Sequence, residues 1–110
     1  MLIGDLMEKY VSKERFIKDL DVQINLLDDL LLYHENKANS VPECVPIEMQ
    51  FISNYSTQKL QLEELKTLSE LSNGNTIYRE EDGMFYVEQL SKKQYDDFME
   101  NLNDSFIPYQ

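Results

Sequence analysis

The sequence predicts a mainly α fold with a small β element: a long antiparallel helical hairpin, then a β-hairpin, then a C-terminal helix. Three observations predict it. Two stretches of about 25 residues carry heptad-like apolar spacing with no interior Gly or Pro, the pattern of paired helices. Two short runs rich in β-branched and aromatic residues flank an Asp-Gly pair. Ser91 stands immediately before a final amphipathic segment, where a helix cap is expected.

Residues 2–10 place Leu2, Ile3, Leu6, Met7 and Tyr10 at a helical period. Ser12 then either caps a new helix or lies inside a continuous one. The series Ile3, Leu6, Tyr10, Lys13, Ile17, Leu20, Ile24, Leu27, Leu31 steps by three and four, and only Lys13 breaks its apolar character. From Ser12 to about Lys37, Ile17, Leu20, Ile24, Leu27 and Leu31 form one seam. Val22, Leu26, Leu30 and Tyr33 form a second stripe. So wide an apolar surface exceeds what one antiparallel neighbour covers, so the second stripe is expected to meet another element or a second copy of the chain.

Ala38 to Pro46 punctuates the chain, because two prolines forbid a continuous helix and Pro46 suits the first turn of the next. A second helix follows from about Ile47 to Leu71, with Ile52, Tyr55, Leu62, Leu65 and Leu68 on one side and Gln58 and Lys59 interrupting the stripe. Asn73-Gly74 ends it with residues that tolerate left-handed backbone. Matched helix lengths and a short connection favour an antiparallel pair. Thr76–Arg79 and Met84–Val87 then read as strands around Glu80-Glu81-Asp82-Gly83. The final helix presents Tyr95, Phe98, Met99 and Leu102. The expected organisation is one domain, 1–110, with a helical hairpin over 1–72, a β-hairpin over 73–90, a helix over 91–104 and a tail over 105–110, where Phe106 and Ile107 are docking candidates.

The chain of 110 residues has a formal charge of −11. Phosphate neutralisation needs clustered Lys and Arg, so direct nucleic-acid binding is not expected, nor is docking on anionic lipid. One cysteine, Cys44, fits a reducing compartment. With no basic leader and no apolar run of spanning length, a cytoplasmic location in a bacterium or an infected host cell is expected.

Chemistry finds little support. The single cysteine and single histidine, Cys44 and His34, lack a third group to orient a dyad. No spacing of Cys, His or carboxylates suits zinc. Gly83 sits where a calcium-loop glycine would, but Tyr78 and Gln89 then fall at ligand positions that require carboxylates. Asp28-Asp29, Glu63-Glu64 and Asp96-Asp97 read as solvated faces, and no glycine-rich phosphate loop exists. Lys9, Lys13, Arg15 and Lys18 bracket Ser12 as in a small helix-turn-helix regulator, although Glu14, Asp19 and Asp21 oppose a groove-reading role. No enzyme activity, metal or cofactor is expected.

Binding is the remaining class. Within residues 80–104, eight acidic side chains stand against two basic ones, interleaved with aromatics. Carboxylates spaced like phosphates can fill the basic groove of a nucleic-acid enzyme, as acidic DNA mimics of the anti-CRISPR and anti-restriction type do. The expected function is therefore a non-enzymatic, acidic protein-binding module, an inhibitor from a phage or mobile element that occludes a basic partner surface. Glu80, Glu81, Asp82, Glu88, Asp96, Asp97 and Glu100 would face the partner, with Tyr78, Tyr86 and Tyr95 as anchors. The alternative is a homo-oligomeric coiled-coil assembly protein, dimeric through the first long helix by Ile17, Ile24, Leu26, Leu30 and Leu31.

Overall fold

A computed structural model describes the backbone of residues 9–106 and the side chains of residues 9–101. The order is β1 (Tyr10–Val11), α1 (Lys13–Ser40), a 3-10 turn (Pro42–Cys44), α2 (Val45–Glu70), β2 (Thr76–Glu81), β3 (Met84–Gln89) and α3 (Lys92–Phe106). The mainly helical architecture expected from periodicity is thus present: two long helices, a small antiparallel β-hairpin and a C-terminal helix. Leu2, Ile3, Leu6, Met7 and Ile107, and the side chains of Leu102 and Phe106, lie outside the described residues.

Local chemistry explains most of the boundaries. The Arg15 amide donates to Ser12 Oγ at 3.1 Å, so Ser12 caps α1 and the helix does not run through it. Val41 and Pro42 stop α1, and Pro46 falls in the first turn of α2, where its missing N–H costs nothing. The other end of α2 differs from expectation. Among the described residues, only Asp82 and Gly83 have positive φ, so Asn73 and Gly74 form no left-handed cap. Instead the Ser72 amide and hydroxyl donate to the Ser69 carbonyl at 3.2 and 2.6 Å. Asn73 Oδ1 then accepts the Asn75 amide at 2.8 Å in an Asx turn.

The β-hairpin closes on Asp82-Gly83, with φ of 53° and 76°, between the paired residues Glu81 and Met84. That is a two-residue type I′ turn, which needs positive φ at both positions and matches strand twist. β1 adds a third antiparallel strand, pairing Tyr10 with Arg79 and Val11 with Tyr78, in the order β1-β2-β3. Sequence reading placed Tyr10 in a helix, because two residues are too few to show a strand period. Ser91 opens α3 in a reciprocal capping box: the Gln94 amide donates to Ser91 Oγ at 3.1 Å, and the Ser91 amide to Gln94 Oε1 at 3.0 Å. α3 continues to Phe106, so Ser105 and Phe106 are helical rather than tail.

The chain divides into two compact units, one built from the segment through Ile17 together with Ser69 onward, the other from Lys18–Leu68. In the sheet-bearing unit, Phe16 is fully buried and Tyr78 is 6% exposed. Phe16 meets Tyr78 at 5.2 Å and Phe85 edge-on at 5.5 Å, on one face of the sheet. On the other face, Tyr10 meets Phe98 of α3 edge-on at 4.9 Å. Lys13 Nζ donates to the Glu70 carbonyl at 3.2 Å. Lys18–Leu68 is a helical hairpin whose buried apolar residues are Leu20 and Leu27.

Candidate functional site

Strand alternation governs the sheet-bearing unit, because successive side chains point to opposite faces. Thr76, Tyr78 and Glu80 of β2 share a face with Phe85 and Val87 of β3, and Ile77, Arg79 and Glu81 share the other with Tyr86 and Glu88. Glu80 and Glu81, adjacent in sequence, therefore cannot serve one surface. Tyr78 belongs to the core, where its hydroxyl donates to Ser72 Oγ, whose own proton goes to the Ser69 carbonyl. Glu80 is half-buried beside it. Glu81 is neutralised by Lys9 at 2.8 Å and by Arg79. The hydrogen bond from Lys9 is the first cause holding the Glu81 carboxyl below the ordinary carboxylate range. Arg79 also lies 4.1 Å from the Tyr86 ring centroid.

Of the acidic set, Asp82, Glu88, Asp96, Asp97 and Glu100 are exposed. Tyr86 is exposed, and Tyr95 is half-buried with Phe98 and Met99 beside Tyr10 and Ile77. Turn, strand and helix thus each carry a share of the carboxylates. Among the described residues, no cluster of three or more His, Cys, Asp or Glu side chains suits a metal ion.

In the hairpin unit, His34 turns toward α2 and not toward Cys44. His34 Nδ1 donates to Glu48 Oε2, and Lys37 Nζ lies 3.5 Å from Glu48 Oε1. Glu48 is only 2% exposed, so its charge requires these partners. The His34 hydrogen bond leads in holding the Glu48 carboxyl low, desolvation opposes it, and Lys37 adds to it. At the break expected near Ser12, Tyr10–Val11 pairs as a strand directly before the α1 cap, and residues 1–8 lie outside the described residues.

The ion pairs Lys59–Asp28 at 2.6 Å and Lys66–Asp21 at 2.7 Å set α1 and α2 antiparallel. They also mark one side of the hairpin. Helical spacing of 100° per residue puts Asp21 and Asp28 on one flank of α1, and Val22, Leu26, Leu30 and Tyr33 on the other. On α2, Ile47, Phe51, Leu65 and Leu68 fall on that same second side. A ring series joins the two flanks: Tyr33 meets His34 edge-on at 5.1 Å, and His34 stacks on Phe51 at 4.7 Å.

This second side is exposed. Leu26 is 50%, Tyr33 59% and Ile47 58% accessible, and Val22, Leu30, Phe51 and Leu68 are also exposed. The polar residues among them are Gln23, Gln50, Asn54, Gln58 and Gln61, all uncharged, with Asp29 at the outer margin. Between Val22 and Tyr33 on α1 the spacing brings Asp29 to that margin, one heptad beyond Val22, while between Ile47 and Leu68 on α2 it places no charged residue on this side. The second apolar stripe read from sequence is therefore present and uncovered within its unit. Ile24 and Leu31 sit half-buried in the seam facing α2, and Ile17, in the sheet-bearing unit, is half-buried. Of the five self-association candidates, only Leu26 and Leu30 lie on the exposed side. The contribution of Ile47 and Phe51 was missed because they fall between helical stripes in the sequence, and only the partner flank gives them meaning.

No described helix is long and apolar enough to cross a membrane. Comparison with protein-family models, with curated proteins and with solved structures finds no match.

Proposed function

We propose that this chain is a non-enzymatic protein-binding module whose principal recognition surface is the apolar side of the helical hairpin. The observation that carries the reading is the run Val22, Leu26, Leu30 and Tyr33 beside Ile47 and Phe51, exposed, with Asp29 only at its outer margin. Isolated exposed apolar residues are ordinary on soluble proteins, but a continuous patch marks an interaction site. The acidity of the rest of the chain supports the same reading, since it keeps the free protein soluble while one side stays available.

The test is site-specific photocrosslinking in cells with a photoreactive phenylalanine analogue at position 30. A protein adduct from position 30, absent from a control at Glu64 on the outward side of α2, is expected. Equal labelling from both positions, or none from either, removes the reading.

A second reading rests on the exposed carboxylates Glu88, Asp96, Asp97 and Glu100. They would occlude the basic surface of a nucleic-acid-handling protein, with Tyr86 and Tyr95 beside them. Asp97→Lys with Glu100→Lys should then abolish capture of that partner, and captured partner should elute as salt rises. Retention of the partner by this double variant at high salt excludes it.

A further inference from the structure

We infer that the occupant of the hairpin's apolar side is a second copy of this chain, packed about a two-fold axis into a four-helix bundle. The inference rests on the reading of that side as the recognition surface, and it specifies the partner.

Charge selects the partner first. Two copies of a chain of net charge −11 repel wherever carboxylates face each other. The other side of the hairpin carries the Lys66–Asp21 and Lys59–Asp28 ion pairs, whose desolvation opposes burial against a second copy. The Val22–Leu68 side is apolar and amide across its middle, with Asp29 at its outer margin, so two copies meet there with few like charges in contact.

Area selects next. The exposed parts of Val22, Leu26, Leu30, Tyr33, Ile47, Phe51 and Leu68 amount to roughly 600 Å², and adding Gln23, Asn54, Gln58 and Gln61 brings the surface near the ~800 Å² per partner that stable interfaces bury. The hairpin's own seam makes the same demand. Ile24, Leu31, Ile52, Tyr55 and Leu62 are only half-buried, because two helices cannot enclose a core and four can.

Direction follows from the ends of the side. Helical spacing places Asp19 beyond Val22 at one end and Lys37 beyond Tyr33 at the other. Antiparallel packing of α1 against α1 keeps the two Asp19 side chains apart, whereas parallel packing sets like against like. The amides of Asn54, Gln58 and Gln61 have donors and acceptors suited to pairing with a copy of themselves, which fixes register at a cost in affinity.

The experiment is sedimentation equilibrium of the purified full chain from low to high micromolar concentration, at low and at high salt. A mass of twice 13.0 kDa is expected, maintained or favoured at high salt. The interface is uncharged across its middle, and salt screens the repulsion between two acidic copies. Leu26→Glu with Leu30→Glu should raise the dissociation constant about 100-fold or more, by placing carboxylates in a desolvated contact. Gln58→Lys changes an exposed helical position and should leave the fold intact while raising the constant about tenfold. Leu60→Glu, on the side of the Lys59–Asp28 ion pair, should leave it unchanged. A chain monomeric at every concentration overturns the inference, as does a dimer that Leu60→Glu breaks as readily as Gln58→Lys. If the purified chain is monomeric yet position 30 crosslinks to a different protein in cells, the second copy is excluded and the recognition surface stands. If it is monomeric and position 30 crosslinks to nothing, both fall.

Discussion

Phe16 and Leu26 lie on one helix, about three turns apart, and meet opposite surroundings. Phe16 is fully buried between Tyr78 and Phe85, while half of Leu26 is open to solvent. The contrast extends to the units that hold them. The sheet-bearing unit sets aromatic side chains on both faces of its three strands: Phe16 on one, Tyr10 against Phe98 on the other. The hairpin unit spends its polar groups on pairing, at Glu48, Asp28 and Asp21, and leaves an apolar side uncovered. Among the described residues, the sheet-bearing unit buries Phe16 and Tyr78 with its own aromatic side chains. The other has the composition of half a core.

That contrast can be broken by substitution. Phe16→Ala should have the largest effect, about 4 kcal/mol of lost stability at any protein concentration, because it empties a closed aromatic site. Thermal melts read at several concentrations check it. The adjacent pair Leu27 and Leu26 should separate the two kinds of burial. Leu27 is 8% exposed, and Leu27→Ala should cost about 3 kcal/mol. Leu26→Ala should cost under about 0.5 kcal/mol in dilute solution and more as concentration rises. Equal costs at every concentration would remove the distinction between the units.

Acid should sharpen the comparison further. The Glu48 and Glu81 carboxyls are both held below their ordinary range. Each therefore contributes stability that is present above the unfolded carboxylate pKa and is lost as pH falls through the lower folded value. Their environments differ: the Glu48 side chain is 3% accessible and that of Glu81 26%. Melting temperature should fall below about pH 4.5 in both cases. Molar salt should suppress the part removed by Glu81→Gln and spare the part removed by Glu48→Gln. Ser12→Ala should be smaller, about 1 kcal/mol, the ordinary worth of a helix cap. Amide exchange should then rise at the start of α1 and not at Leu31.

Much of the fold was legible in the sequence because each element carries its own local signal. Ser91 announced a helix start, Ser12 offered one beside a continuous helix, Asp82-Gly83 announced a hairpin turn and Pro46 a first turn. What was not legible depends on partners distant in the chain. Tyr10–Val11 is a strand only because Arg79 and Tyr78 offer an edge to pair with. Asn73-Gly74 resembled a left-handed cap, but Ser72 and the Asn73 side chain satisfied the backbone first. The acidic patch was drawn from composition, and composition has no faces. Pleating sends Glu80 to the side of Tyr78 and Glu81 to the side of Lys9. The uncovered stripe on α1 was visible as a surplus of apolar positions, yet its continuation across Ile47 and Phe51 required the antiparallel register set by the ion pairs.

The pairing of β1 with β2 also shapes how the chain folds. It joins Val11 to Tyr78, residues far apart in sequence, and such distant contacts slow folding through the entropy of closing the intervening loop. Here the intervening chain is α1 and α2, two helices made of local contacts that double back on themselves. Once they have formed, Lys13 reaches the Glu70 carbonyl, and the effective loop shrinks to a few residues at each end. The strand pairing is then a late latch rather than a nucleus. Val11→Ala should speed unfolding and leave the folding rate nearly unchanged, while Leu27→Ala should slow folding itself.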